Sequence, residues 1–402
     1  MKQAWPARVL GEAAMGRESM RGLAVMGALL VLSAGAGAQG QDLGDGNIQI
    51  HGFATQAFVA SNNNNYLGMD TRSGSTGWTE AAVNLNDQVS DKLRAGIQLH
   101  YTRLGAFGGD DVDVDWALGD YRWKPWLGMR AGKVKIRWGL YNDTQDYDPG
   151  YLWSLLPEPV YAVDWRATNL SQLGMEVYGE VALGARLGRI EYSGYYGNYN
   201  YAANDGYMES FRESGLNFTA PPGGKTPGFD VRWATPVRGL KVGGSLMLYN
   251  ASGKLTNGTF YQPLAYWPAY YGEYERGKFF GSGQYTKLVQ YNTWTVAGAG
   301  TSLSPSDTRA WFAMGGYHVT EKLEAGAYYT HDVDVTGGQG SNPANFLRDW
   351  VVSGRYDIDA NFYAKLEGHS IDGNGVGFYG FDNPNGMKPR TAVVVAKVGF
   401  TF

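Results

Sequence analysis

From Asn47 onward, apolar and polar residues alternate with period two, and Gly-, Asn- and Asp-rich segments interrupt the alternation. Such a pattern places successive side chains on opposite faces of an extended strand. The last stretch shows it most clearly. Ala392, Val394, Ala396, Val398, Phe400 and Phe402 fall on one face, and Thr391, Val393, Val395, Lys397, Gly399 and Thr401 on the other. A strand that is apolar on one side and carries a lysine on the other fits a wall with lipid outside and water inside. Elsewhere Arg94, Gln98, His100 and Thr102 alternate with Leu93, Ala95, Ile97, Leu99 and Tyr101, and Lys365, Glu367 and His369 alternate with Ala364, Leu366 and Gly368. A slip of one residue would turn all these polar groups into lipid, so the register is strongly specified.

The alternation predicts strands near 47–59, 76–88, 90–104, 111–124, 126–138, 170–182, 184–197, 226–235, 238–250, 276–289, 291–304, 308–319, 321–334, 346–357, 359–371 and 391–402. Short connections at 86–91, 182–184, 235–238 and 357–359 alternate with long polar ones at 61–75, 139–169, 198–225, 251–275, 335–345 and 372–390. Short periplasmic turns and long outer loops are the asymmetry of an outer-membrane barrel. The expected fold is therefore all-β, a transmembrane antiparallel β-barrel of about 16 strands. Trp123, Trp126, Trp138, Trp294 and Trp350 lie near predicted strand ends, where interface aromatics belong. Phe400 and Phe402 end the chain on the apolar face, a pattern similar to the terminal signal by which Gram-negative bacteria recognise outer-membrane barrels for assembly.

The N-terminus adds an address. Leu23–Leu32 is an apolar core preceded by Arg21 and followed by Ala36-Gly-Ala38, a small-x-small cleavage pattern. Residues 1–38 read as a secretory signal, with Met20 an alternative initiator because Glu12 and Glu18 precede it, and 39–402 as one barrel domain. Of the 34 Lys+Arg and 38 Asp+Glu, the signal removes four and two, so the mature charge is (34 − 4) − (38 − 2) = −6. That mild acidity argues against a nucleic-acid partner. The absence of cysteine excludes disulfides and thiol chemistry. No GxSxG, HExxH or phosphate-binding glycine loop is present, so no enzyme, cofactor or metal site is expected. Clustered carboxylates in 109–115 and 331–335 could ligate Ca²⁺, but their alternation with apolar residues favours lumen and rim positions.

One stretch stands apart. Lys133, Lys135 and Arg137 alternate with Val134 and Ile136, and in a barrel wall these cations are expected to face the lumen. The following loop, 139–169, holds Asp143, Asp146, Asp148, Glu158 and Asp164, next to Arg166, among Pro149, Leu152, Trp153, Leu155, Leu156, Pro157 and Pro159. An exposed loop has no reason to carry so many apolar residues. Folded inward, it would bury them against the wall and leave its carboxylates facing the cations; the alternative is a loop packed on a neighbouring subunit or lying outside.

Asp113-Val-Asp115-Trp-Ala-Leu-Gly-Asp-Tyr-Arg122, Arg130-Ala-Gly-Lys-Val-Lys135 and Gly139–Asp146 resemble porins of Gram-negative bacteria, most of all the porin O/P-like superfamily. The resemblance implies a homotrimer of 16-stranded barrels, each narrowed by an infolded third loop. Unlike the phosphate-specific members, this chain interleaves its wall cations with Asp113, Asp115, Glu176, Glu180, Glu324 and Glu367. The expected function is a passive outer-membrane porin for small hydrophilic solutes and ions, with partners limited to outer-membrane lipid and lipopolysaccharide, the barrel-assembly machinery and further copies of itself. Two alternatives remain: an uptake channel with a lumenal site for an anion, sugar or aromatic acid, and a plugged structural or adhesive barrel.

Overall fold

The computed structural model describes residues 48–337 and 342–402, with the backbone of 41–42; the expected signal at 1–38 lies outside the described residues. Sixteen strands follow one another around the wall: β1 Ile48–Ser61, β2 Ser75–Ser90, β3 Leu93–Leu104, β4 Val112–Lys124, β5 Leu127–Lys135, β6 Ser171–Ala182, β7 Arg189–Asn200, β8 Gly223–Ala234, β9 Leu240–Leu255, β10 Gly258–Arg276, β11 Phe279–Val296, β12 Gly300–His318, β13 Leu323–Asp334, β14 Phe346–Asp357, β15 Phe362–Gly373 and β16 Arg390–Thr401. Each pairs antiparallel with its successor, and β16 closes on β1 from Val393↔Ser61 to Thr401↔Phe53. Closure removes the exposed edges that an open sheet would offer to other chains. Residues 41–42 add a short pairing to β1, Gln41↔Ile50 and Asp42↔Gln49.

The closing strand obeys its pattern. Val394 and Val398 are 48% and 54% exposed on the outer surface, whereas Thr391, Val393, Val395 and Lys397 are buried inside. Phe402 exchanges both backbone hydrogen bonds with Gly52 at 3.0 Å. Its ring lies where a Cβ on Gly52 would sit, 2.6 Å from the nearest ring carbon, so a side chain there would displace the terminal aromatic. Phe400 stacks between Phe362, 4.8 Å away, and Phe402, 5.9 Å away.

One region departs from the sequence reading. The loop expected at 251–275 and the strands expected at 276–289, 291–304 and 308–319 are replaced by three long strands, β10 to β12, of 19, 18 and 19 residues. The hairpin between β9 and β10 turns tightly at Thr256-Asn257, with Leu255 paired to Gly258. Pro263 obscures it. Proline cannot donate to a ladder, and the pairing breaks between Tyr261 and Tyr266 around it. The aromatic segment 261–274 is consequently wall, with Tyr261, Tyr266 and Tyr270 outward and Trp267 and Tyr271 inward. Of the tryptophans, Trp123, Trp126 and Trp350 are exposed, but Trp138 and Trp294 are buried inside the barrel.

The lumen contains two apolar clusters. One, on the β16–β1–β2 side, joins Val393, Val395, Ala57, Val59 and Trp78 to Tyr66, Leu67, Val376 and Phe378 of the outer connections. The other, against β7 to β13, includes Tyr195, Tyr249, Phe260, Trp267, Phe312 and Tyr328. The connection between β5 and β6 reaches both.

Candidate functional site

The connection 136–170 is held by the lumenal face on all sides. Three short helical turns break it up, Asp148–Gly150, α1 Glu158–Tyr161 and Val163–Trp165, and α2 Arg166–Asn169 ends it. Pro149 and Pro159 lie in the first turn of two of these, where no helical N–H is lost, so they mark where the turns begin. Its apolar residues divide between the two clusters. Trp138, Leu140, Leu152, Trp153, Val160 and Tyr161 join the β7–β13 side, and Leu155 and Ala162 the other. Full burial of such side chains contributes roughly 1.5–3 kcal/mol each, enough together to hold the segment down.

Polar contacts set its course. Trp138 Nε1 donates to Trp267 O at 2.8 Å, Gly139 N to Ser245 Oγ at 2.8 Å, and Leu140 N to Gln284 Oε1 at 2.9 Å. These tie its start to β9, β10 and β11. Asp143 lies 3.5 Å from Arg232 on β8. Five residues later Asp148 accepts from Lys365 Nζ at 2.9 Å and Lys397 Nζ at 2.8 Å, on β15 and β16. In a sixteen-stranded barrel β8 and β16 are half a circumference apart, so the chain crosses between opposite walls within these residues. The Ser154 and Leu155 amides then donate to Glu367, each at 2.9 Å, while His369 bridges Glu367 and Asp349 at 3.1 and 2.7 Å. Arg355 on β14 donates to Tyr151 O at 3.0 Å.

The residues singled out by sequence fall into four groups. Lys135 and Arg137 meet the loop's own early carboxylates: Lys135 lies 2.7 Å from Asp146, and Arg137 3.8 Å from Asp143 and 3.4 Å from Asp230. Asp148 belongs to the far wall instead. Burial alone would raise its carboxyl, but Lys365 and Lys397 hold it well below the usual carboxylate range. On the outer side, Arg166 pairs with Asp115, which also accepts from Gln98 at 3.1 Å, and Tyr379 donates to Asp164. Asp113 is exposed at the rim of the same cavity, about 400 Å³, which His100, Asp115, Asp164 and Arg166 line.

Lys133 departs from the expected arrangement. It pairs across the ladders with Ala117 and with Leu173, which is 60% exposed on the outer surface. Partners on one rung point the same way, so Lys133 is in the outward register, and its Nζ donates to Val114 O where the β4–β5 ladder ends. The expectation that every cation of this strand faces the lumen fails at Lys133; Lys135, on the same face of the ladder opposite Ser171, reaches Asp146 inside because the β4–β5 ladder ends at Lys133 and the wall parts beyond it.

Several further charges complete the site. Lys365, Lys397, Glu80 and Arg355 surround Asp148 and its neighbours, with Lys397 Nζ 3.7 Å from the centre of the Trp78 ring. Alternation places Lys365, Glu367, His369 and Lys397 on the lumenal face, but no spacing reveals that they meet residues 148–155. On the β3–β7 wall Arg94, Arg122, Arg130 and Arg189 pair with Asp120, Glu176, Glu180 and Glu191, at 2.9–3.5 Å. Several loop carboxylates are shifted upward: burial raises Glu158 well above its ordinary value, and pushes Asp164 to about 6 and both Asp382 and Asp205, which accepts from Thr168, to about 7. No group of three or more metal-ligating side chains occurs among the described residues.

No sequence-family model and no curated protein matches the chain. Solved structures do. OmpF of Salmonella typhi, in complex with daunomycin, superposes with TM-score 0.57 at 14% identity over 90% of this chain and 99% of its own. An anion-selective porin of Comamonas acidovorans gives 0.54 at 12%, covering 89% and 100%, and the trimer form of OmpT of Vibrio cholerae gives 0.51 at 12%, covering 89% and 99%. The chain therefore has the fold of the outer-membrane porins, a closed antiparallel barrel of sixteen strands.

Proposed function

We propose that this protein is a passive pore of the Gram-negative outer membrane, through which small hydrophilic solutes and ions diffuse, and that segment 139–169 forms its narrowest section. The observation that carries the proposal is the run from Asp143 at β8 to Asp148 at β15 and β16, which lays a carboxylate-bearing strap across the barrel interior. A cavity of about 590 Å³ lies on its short-turn side, bounded by Tyr141, Tyr151, Leu152 and Trp153 of the strap. In a narrow, low-dielectric passage, charges act on ions more strongly than on an open surface. Single-channel recording of the purified protein in a planar bilayer tests the reading. Discrete ohmic steps that grow when 143–156 is removed are expected; no steps in either protein would leave the plugged-barrel alternative.

The larger cavity favours a second reading, a channel with a solute site. Tyr141, Tyr151, Trp153, Tyr274 and Phe280 line it beside Lys241, His318 and Glu324, groups suited to a polar ring. A saturable block of current by a sugar or aromatic acid would separate this from simple diffusion. Assembly as a homotrimer fits the outer surface of β1 to β3, where Gln56, Thr79 and Arg103 occupy outward positions poorly matched to lipid.

A further inference from the structure

We infer that the outer wall of β13 to β16 carries a docking groove for lipopolysaccharide, separate from the lumen and from the β1–β3 face. The register alone builds it. Outward residues pair across successive strands as His331↔Arg348, Arg348↔Asp372 and Asp372↔Arg390, all within three residues of the loop-side strand ends. The next outward rung toward the bilayer is Tyr329↔Trp350, Trp350↔Ser370 and Ser370↔Ala392. Below it come Ala327↔Val352, Val352↔Gly368 and Gly368↔Val394. The wall thus changes from cationic to aromatic to small and apolar over about 13 Å of strand.

The shape follows from side-chain size. Trp350 and Val352, 65% and 64% exposed, form a ridge on β14, and Val394, 48% exposed, forms another on β16. Between them Ser370 and Gly368 leave a trough, and a Cβ on Gly368 would meet only Val352, at 3.8 Å. At its upper end lies a cavity of about 410 Å³ bounded by Asn62, Arg348, Trp350, Ser370, Asp372 and Arg390. Tyr329 and Trp350 rings are 4.7 Å apart there.

Charge decides the occupant. Arg348 and Arg390 share a single carboxylate, Asp372, at 3.4 and 3.6 Å, and remain 43% and 81% exposed. Lys388 adds a third cation, 3.4 Å from Asn63. At the rim of such a wall, guanidiniums in excess of their carboxylates present N–H donors suited to an anionic headgroup. An amphiphile with phosphates above and several acyl chains below matches both ends of the groove. At the loop-side rim of an outer-membrane barrel that amphiphile is the phosphorylated glycolipid of the outer leaflet rather than a glycerophospholipid. The inference rests on membrane placement and not on conduction.

The test uses full-length protein, delipidated in mild detergent and titrated with deep-rough lipopolysaccharide, with native mass spectrometry counting bound lipid. Wild type should bind it at least about tenfold more tightly than phosphatidylglycerol. Arg348→Ala with Arg390→Ala should weaken binding by about tenfold or more, since both surface cations attract the anionic headgroup. Gly368→Leu, which fills the trough without touching charge, should also weaken it, whereas Arg309→Ala, an outward cation on β12 paired with Asp307, should not. Heat-modifiable mobility checks that each variant is folded; if the double variant is not, Gly368→Leu and the competition decide. Wild-type affinity in both groove variants would overturn the site, and equal competition by phosphatidylglycerol would overturn the occupant. Unitary conductance should be unchanged in all variants, so failure here and failure of the pore reading are distinguishable.

Discussion

Asp148 shows what a single residue contributes. Its carboxylate sits between Lys365 and Lys397, and all three side chains are at most 9% exposed. Asp148→Asn would leave the buried Lys365 ammonium without its carboxylate and Lys397 with only Glu80, 3.8 Å away; removing one partner of a buried pair costs about 3–5 kcal/mol in comparable settings. The expected result is release of the strap from β15 and β16, read as faster proteolysis within 143–156 and noisier open-channel current; unchanged proteolysis would separate the ion triad from loop docking. Asp164 and Asp205 predict the pH response. Each has a folded value raised above the ordinary one near 4, so the packed loops bind more protons than the released ones. The stabilisation is full below about pH 4 and is lost as pH rises through about 6 for Asp164 and about 7 for Asp205. Protection factors, corrected for the base-catalysed intrinsic exchange rate, should therefore be larger at pH 5 than at pH 8 in 376–383 and in α3, Gly206–Glu213, and Asp164→Asn should reduce the difference.

At the scale of elements, β16 carries closure. Phe402 forms the last ladder contacts to Gly52 and stacks on Phe400. Removing Phe402, or making it charged, should cut the yield of heat-modifiable barrel several-fold, whereas a change within 380–386 should not; equal yields would remove the terminal strand from the assembly signal. The long strands β10 to β12 illustrate the opposite case. Their alternation is legible once the turn at Thr256-Asn257 is recognised, yet Pro263 breaks the pattern at the point where it would identify a strand.

For the whole molecule, selectivity should follow charges that reach the lumen rather than net charge. Lys135 contacts Asp146 inside, whereas Lys133 occupies an outward rung beside Leu173. Lys135→Glu should shift the reversal potential in a salt gradient toward cations by several millivolts more than Lys133→Glu. Equal shifts would place the selectivity filter elsewhere.

The sequence by itself determined the wall. Period-two alternation, short turns alternating with long connections and the closing Phe strand specify a barrel of sixteen strands, because lipid on one side and water on the other impose the same pattern on every strand. It also marked 139–169 as a loop with too many apolar residues for solvent. Only the tertiary structure decided which groups meet. Asp148 and Lys397 are separated by 249 residues along the chain yet lie 2.8 Å apart, and no local spacing encodes that approach. Which face of β5 is outside is decided the same way: it follows from the pairing of β5 with β4 and β6, and a single strand read alone has two faces with no sign to say which is inside.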